Sequence, residues 1–300
     1  MQSKLPVLQL VLYRLLNRLE NFIFPRILQE RVETYPLLSC DSYALHCEFQ
    51  VFRGLSEREF IEELDKIELQ KVIFIPGRFT DLASKILKSK QLYFDKIIVG
   101  DDDITQSKDS LKSLAELCKY VYSVNLISES EYIRPLPLGI ESPSYRSGGR
   151  LKNFEQLPSI TKEKRPLSFL IAWNSQTNIE KRTFAAKSFE ETNDTYIFRS
   201  RVPAQLVHKM TRRTLFVPCP AGNGLDTHRI WESLYLGSIP VILEQDLFCG
   251  VTNWPILVVK KWSDITRLSR LELEELYLRH VRPMNEIIQK SIGLIREIEQ

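Results

Sequence analysis

The stretch Leu215-Phe-Val-Pro-Cys-Pro-Ala-Gly-Asn-Gly-Leu-Asp-Thr-His-Arg-Ile-Trp-Glu-Ser-Leu-Tyr-Leu-Gly-Ser-Ile-Pro-Val-Ile-Leu243 decides the architecture of this chain. It opens on a short apolar run, Leu215 to Val217, that reads as a buried strand. A turn built from Pro, Gly and Asn follows, and then a run whose Ile230, Trp231, Leu234, Tyr235 and Leu236 fit a well-buried helix. Gly237 is placed to end that helix as its C′ residue, and Ile239 to Leu243 returns as a second strand. Strand, glycine loop, helix, strand is the repeating unit of a parallel α/β sheet. Gly222 and Gly224 let the backbone approach a ligand or take positive φ. Asp226 and Thr227 are favoured N-cap types, so the helix is expected to start there. A glycine loop ending at a helix N-terminus offers unpaired N–H groups and partial positive charge, which suits phosphates. Many ordinary strand–helix turns also carry two glycines.

Into this helix the sequence places His228, Arg229 and Glu232. A carboxylate on a buried helix is costly unless it is paired or hydrogen-bonded. Two readings stay open. Arg229 and Glu232 stand at i, i+3 spacing and can form an intrahelical pair. Alternatively Glu232 accepts hydrogen bonds from ribose hydroxyls while Arg229 faces phosphates.

The same alternation continues outward on both sides. Upstream, apolar runs predict strands at Val72–Pro76, Lys96–Val99, Tyr120–Val124 and Ile133–Leu136. Helical patterns lie at Ser56–Ile67, Thr80–Lys88 and Ser107–Cys118. The turn-rich stretch Glu141–Arg150 and the polar, proline-bearing stretch to Pro166 mark a crossing between domains. A second series follows, with strands at Leu167–Trp173, Thr195–Arg199, Thr214–Val217, Ile239–Leu243 and Ile256–Val259. Its helices are Ile179–Phe189, Pro203–Arg212 and Thr227–Leu236, and two more, Ile265–His280 and Arg282–Ile298, close the chain.

Composition narrows the class. With 300 residues, 43% hydrophobic and 26% charged, the chain is long enough for two modest globular domains. A formal net charge of +3, from 41 basic and 38 acidic residues interspersed with one another, argues against nucleic acid as a partner. Five widely spaced cysteines with no CxxC pair argue against a disulfide framework and a structural zinc site, and for a reducing, cytoplasmic compartment. Leu8, Val11, Leu12, Leu15, Leu16 and Leu19 keep a helical period near the N-terminus, in a run too short and too charged to span a bilayer. Packing on its own domain and peripheral membrane contact are both compatible with such a helix.

Pro220-Ala-Gly-Asn-Gly-Leu-Asp-Thr-His-Arg-Ile-Trp-Glu-Ser-Leu-Tyr-Leu-Gly-Ser-Ile-Pro-Val241 resembles the donor-binding motif of exostosin-like glycosyltransferases, a P-x-G-N-G loop leading into an H-R-x-W-E-x-L helix and a G-x-I-P-V strand. Asn174-Ser-Gln-Thr-Asn-Ile-Glu-Lys-Arg182 is similar to the family's N-x-x-T-N-x-x-x-R segment, and Ile133-Arg-Pro-Leu-Pro-Leu-Gly-Ile-Glu141 to its P-L-P-I-G-x-E run. The resemblance spans about residues 95 to 245. It implies an α/β fold of GT-B type, two Rossmann-like domains facing a cleft, with C-terminal helices. Residues 1–145 would then be the acceptor-side domain, 146–166 the linker and 167–300 the domain that binds the nucleotide sugar. The implied activity is transfer of a hexosyl or pentosyl group from a nucleoside-diphosphate sugar to a glycan-type acceptor, as in polysaccharide biosynthesis. Glu232 would hold ribose and Arg229 the diphosphate, with Gly222, Asn223, Gly224, Asp226, Thr227, His228, Asn174 and Arg182 completing the donor site. No cofactor or metal is implied beyond the sugar nucleotide itself. A degenerate relative that binds the nucleotide without turnover, and an interaction module that keeps only the fold, are the rival readings.

Asp101, Asp102 and Asp103 directly follow the strand Lys96–Val99. Their D-x-D spacing is one that other glycosyltransferases use for metal, but GT-B enzymes generally need none. The run is therefore expected on the acceptor side, with Asp102 preferred as catalytic base and Asp101 and Asp103 as alternates; helix capping or plain solvation also fits. His46 and Glu48 are the next candidates. Among the four histidines no paired spacing for zinc occurs, and GxSxG, P-loop and GxGxxG motifs are absent.

Overall fold

The computed structural model describes residues 30–145, 147–154, 165–173, 175–200 and 202–300. The N-terminal helical pattern, Asn174 and most of the predicted linker lie outside the described residues.

The first unit begins with α1 (Cys40–Leu45), capped where Ser39 accepts from the Ser42 amide. Next come β1 (Phe49–Gln50) and α2 (Glu57–Leu64), whose Ser56 and Glu59 form a reciprocal capping box. β2 (Val72–Pro76), α3 (Thr80–Ser89), β3 (Phe94–Gly100), α4 (Lys112–Ala115), β4 (Cys118–Ser123) and β5 (Ile133–Pro135) complete it. The five strands lie in the order β1-β2-β3-β4-β5, all parallel. The second unit runs β6 (Leu167–Ile171), α5 (Ile179–Phe189), β7 (Thr195–Ile197), α6 (Ala204–Thr211), β8 (Thr214–Pro218), α7 (His228–Tyr235), β9 (Ile239–Leu243) and β10 (Leu257–Val259). Its sheet is also parallel, ordered β10-β9-β8-β6-β7. α8 (Ser263–Thr266), α9 (Arg270–His280) and α10 (Met284–Glu299) end the chain. The expected α/β class with two parallel sheets is the fold observed.

Two predicted helices are corrected. Of Ser107–Cys118 only α4 is helical, because the Ser107 and Ser110 hydroxyls each accept from the other's amide, at 2.9 and 3.1 Å, and offer the backbone a turn instead. Ile265–His280 divides in two, because Ser269 and Glu272 form a capping box that starts α9 afresh.

Side-chain alternation along the strands builds three apolar layers. Ile73, Ile75, Ile97 and Val99 face α2, α3 and α4, where Phe60, Leu64, Leu87 and Leu114 close the outer layer of the first sheet. Phe169, Ile171 and Val241 face α5, α8 and α9, with Phe189, Trp262 and Leu273. The opposite faces of both sheets share one middle layer: Phe74, Ile98 and Tyr122 from the first, Leu170, Val217 and Ile242 from the second. Trp231 and Tyr235 of α7 and Ile295 and Ile298 of α10 fill the same layer. α10 thereby returns to the first sheet, where Glu297 accepts from Tyr122 at 2.7 Å and from Arg134 at 2.8 Å.

Candidate functional site

Parallel α/β sheets place their binding loops at the carboxyl ends of the strands. Here those ends meet. Asn223, in the loop after β8, donates to Asp103, in the turn after β3, at 3.0 Å. Asn125, just past β4, accepts from the Asp226 amide at 2.9 Å and donates to the Asp102 carbonyl at 3.3 Å. Past β5, the Leu138 amide donates to Asp226 Oδ2 at 2.7 Å, and His228 Nδ1 lies 2.9 Å from the Gly139 carbonyl. A carbonyl only accepts, so Nδ1 of His228 carries the proton.

Neither loop glycine takes positive φ; Gly139 and Gly237 do. That corrects one expectation and replaces it with another use. A Cβ on Gly224 would stand 2.6 Å from Asn125 Oδ1 and 3.0 Å from the Asp103 carbonyl, so glycine is required where the two units touch. A Cβ on Gly222 would stand 2.6 Å from a guanidinium nitrogen of Arg182. Gly237 closes α7 as expected: its amide bonds Leu234 and the next amide bonds Ser233.

Arg182, on α5, reaches the loop from the second unit and donates to the Ala221 carbonyl at 3.3 Å. Asn178, the N-cap of α5, donates to the Gly222 carbonyl at 3.2 Å. Burial holds the Arg182 guanidinium below its usual pKa, and the positive charge of Arg229 adds to that lowering, while Asp103 and Cys219 oppose it. Arg182 thus bears on the glycine loop, and Arg229 stands in the first turn of the helix that follows it.

α7 starts at His228 with Thr227 as N-cap, as expected. The Thr227 side chain makes no cap hydrogen bond, and its hydroxyl oxygen is buried without a partner. Glu232 is 5% exposed and pairs with Arg229 at 2.7 Å, so the intrahelical pair is formed. His208 of α6, buried against the Phe154 ring, lies 3.8 Å from the same carboxylate. Burial alone would raise the Glu232 pKa; Arg229, His208 and His228 outweigh it and bring the group to about 2.

Asp226 is 2% exposed, and Trp231 Nε1 donates to it at 2.6 Å besides Leu138. Burial lifts its pKa to about 7 against these hydrogen bonds. Both oxygens of its carboxylate are hydrogen-bonded, and the group joins α7 to the first unit. Asp101 is likewise removed from the candidate bases. Its side chain is fully buried, 2.6 Å from Arg31 and 3.8 Å from Arg53, within a network that includes Asp41 and Ser144. Asp102 accepts from the Arg78 amide at 3.0 Å and is half-buried; desolvation raises its pKa although that hydrogen bond and the Arg78 charge lower it. Asp103 is exposed beside Asn223. No helix follows this run directly, so it caps none. His46 is bound to Glu299 at 2.7 Å and lies 3.6 Å from Glu33. Arg199 pairs with Glu190 on the surface.

Asn125 and His208 belong to this site and were not singled out in the sequence. Asn125 had a visible signal, an asparagine directly after an apolar strand, and it takes the left-handed φ of 54° that asparagine tolerates. His208 had none. Among the described residues no three His, Cys, Asp or Glu side chains converge as a metal site, and no helix is long and apolar enough to cross a membrane.

No protein-family model and no curated protein matches the sequence. Among solved structures the chain is similar to one described as trehalose-6-phosphate from E. coli bound with UDP-2-fluoro glucose. That likeness has 10% identity and a TM-score of 0.49, covering 81% of this chain and 77% of that one. It is also similar to a UDP-forming α,α-trehalose-phosphate synthase from Burkholderia xenovorans, with 9% identity and a TM-score of 0.42, covering 86% and 76%. Neither likeness bears on the site, whose reading rests on its own geometry.

Proposed function

We propose that this chain is a nucleotide-sugar-dependent glycosyltransferase, with the donor diphosphate held where the glycine loop meets α7. The observation that carries the reading is Arg182 bonded to the loop Ala221–Gly224, with Arg229 in the first turn of the helix into which that loop runs, a helix N-terminus without a side-chain cap. Fixed positive charge of this kind stabilises a departing diphosphate. A diphosphate would compete with Glu232 for Arg229. The carboxylate, kept ionised by its basic neighbours, is then suited to ribose hydroxyls. The exostosin-like resemblance of this motif supports the same roles.

On the opposite side, Asp102 is the group we assign to the acceptor hydroxyl. It follows β3, its turn is hydrogen-bonded to the donor loop through Asn125, and its raised pKa suits a base. The hydroxyl oxygen forms the bond to the anomeric carbon, the bond from that carbon to the diphosphate breaks, and Asp102 takes the proton. Thermal denaturation with UDP, GDP and ADP tests the donor half. Occupancy at about 100 times the dissociation constant adds nearly 3 kcal/mol of stability. No stabilisation by any of the three removes the reading.

A further inference from the structure

A cavity of about 550 Å3 opens on the flank of the second sheet, lined by Asn178, Glu180, Lys181, Phe184 and Gln245. It lies between the first turns of α5 and the short turn after β9. Phe184 is 62% exposed, on a helix that buries its other aromatic residue, Phe189. Leaving that ring in water forgoes the stabilisation that burial normally brings.

Two members of the polar wall, Asn178 and Lys181, are fixed in place. Asn178 accepts from the Lys181 amide at 3.2 Å while its side-chain amide holds Gly222. Lys181 is held by the buried Asp246 at 2.5 Å, which also cancels its charge. Glu180 and Gln245 add an exposed carboxylate and amide. An anionic ligand finds no net positive charge here. A sugar ring matches better, since one face is C–H and the rim is hydroxyl. The volume is that of an ordinary ligand site.

We propose that this cavity is a subsite for a neutral carbohydrate chain, with Phe184 under one ring and Glu180 and Gln245 bonding its hydroxyls. Because Asn178 touches both this cavity and the glycine loop, a chain seated here lies beside the donor site. That placement rests on the donor reading; the binding itself does not.

The test is calorimetric titration of the full chain with cellotetraose, maltotetraose and chitotetraose, and separately with UDP, GDP and ADP. At least one tetrasaccharide should bind saturably, and Phe184→Ala and Gln245→Ala should each weaken it tenfold or more while UDP affinity stays. Phe184 is exposed, so its loss leaves the fold intact. No saturable binding of any of the three, or equal affinity in both variants and the parent, overturns the subsite. So does concentration-dependent self-association that Phe184→Ala abolishes without any sugar binding. A chain that binds a tetrasaccharide through Phe184 but none of UDP, GDP and ADP keeps the subsite and loses the donor reading; the reverse result does the opposite.

Discussion

Asn125 and Asp226 fasten the two sheets together at their carboxyl ends: the asparagine side chain accepts from the aspartate amide at 2.9 Å, and both residues are buried. Asn125→Gly removes the side chain without straining the left-handed backbone. It should cost about 1–3 kcal/mol, since the Asp226 amide and the Asp102 carbonyl each lose a partner. Urea unfolding measures it. Asn125→Ala should cost more, because alanine tolerates φ of 54° poorly. Equal stability of both variants and the parent would show that the fastening is idle.

Asp226 also gives the protein a pH signature. Its folded pKa of about 7 lies above the 3.8 of a free aspartate, so the folded state binds the extra proton. Its contribution is present below the unfolded pKa and is lost as pH rises through 7. Between pH 5 and pH 7 that loss is on the order of 2 kcal/mol. Glu232 runs the other way, from 4.5 unfolded to about 2 folded, and loses its contribution only as pH falls below about 4.5. Unfolding free energies at pH 5 and pH 7 should therefore differ in the parent and differ less in Asp226→Asn. An identical difference in both would mean that Asp226 stays ionised across this range.

Glu232→Gln should lower nucleotide affinity by one to two decades, the worth of about 1.5–3 kcal/mol for a hydrogen bond to a charged group. It also releases Arg229 from its pair, so the fold has to be checked by denaturation alongside the titration. Normal affinity in a folded variant would leave Glu232 as the helix pair alone.

Arg182→Ala and Arg229→Ala should each weaken UDP binding tenfold or more and leave uridine binding within a few-fold, because their partner is the diphosphate. Equal losses for the two ligands would contradict that role. Turnover, once measured, should survive a chelator; abolition with rescue by manganese would bring a metal back to the acidic run.

Asp102→Asn should lose most of its turnover with UDP affinity nearly unchanged, whereas Asp101→Asn should show its effect in stability. Breaking the buried pair with Arg31 costs about 3–5 kcal/mol, because a guanidinium is left uncompensated. Full turnover in Asp102→Asn moves the base elsewhere in the turn.

Most strands were legible because a doubly covered parallel strand is a short, unbroken apolar run. Val72–Pro76 and Ile239–Leu243 begin and end where the run does. α1 and β1 left no such trace, being six and two residues long. The division at Ser269 was available in the sequence, since Ser269 with Glu272 is a capping signature, but an apolar period on both sides masks it. At the site, residue types were legible and partners were not. Nothing in the order of residues distinguishes Asp101 from Asp102; Arg31, seventy positions upstream, does. Asp226 read as an N-cap candidate within the donor motif, and only the amide of Leu138, brought in by the other sheet, makes it a buried joint.

The middle apolar layer is common property of both sheets, and this limits how the chain can be taken apart. Cut between them, each half would present the face that carries Phe74 and Ile98, or Val217 and Trp231, to water. The first half would lose α10 as well, and with it the carboxylate that Tyr122 and Arg134 grip. The halves are thus not portable modules. A chimera that borrows the glycine loop and its sheet must bring α10 along and find a host whose inner face matches it, and a truncated half expressed alone should aggregate unless its complement is made in the same cell.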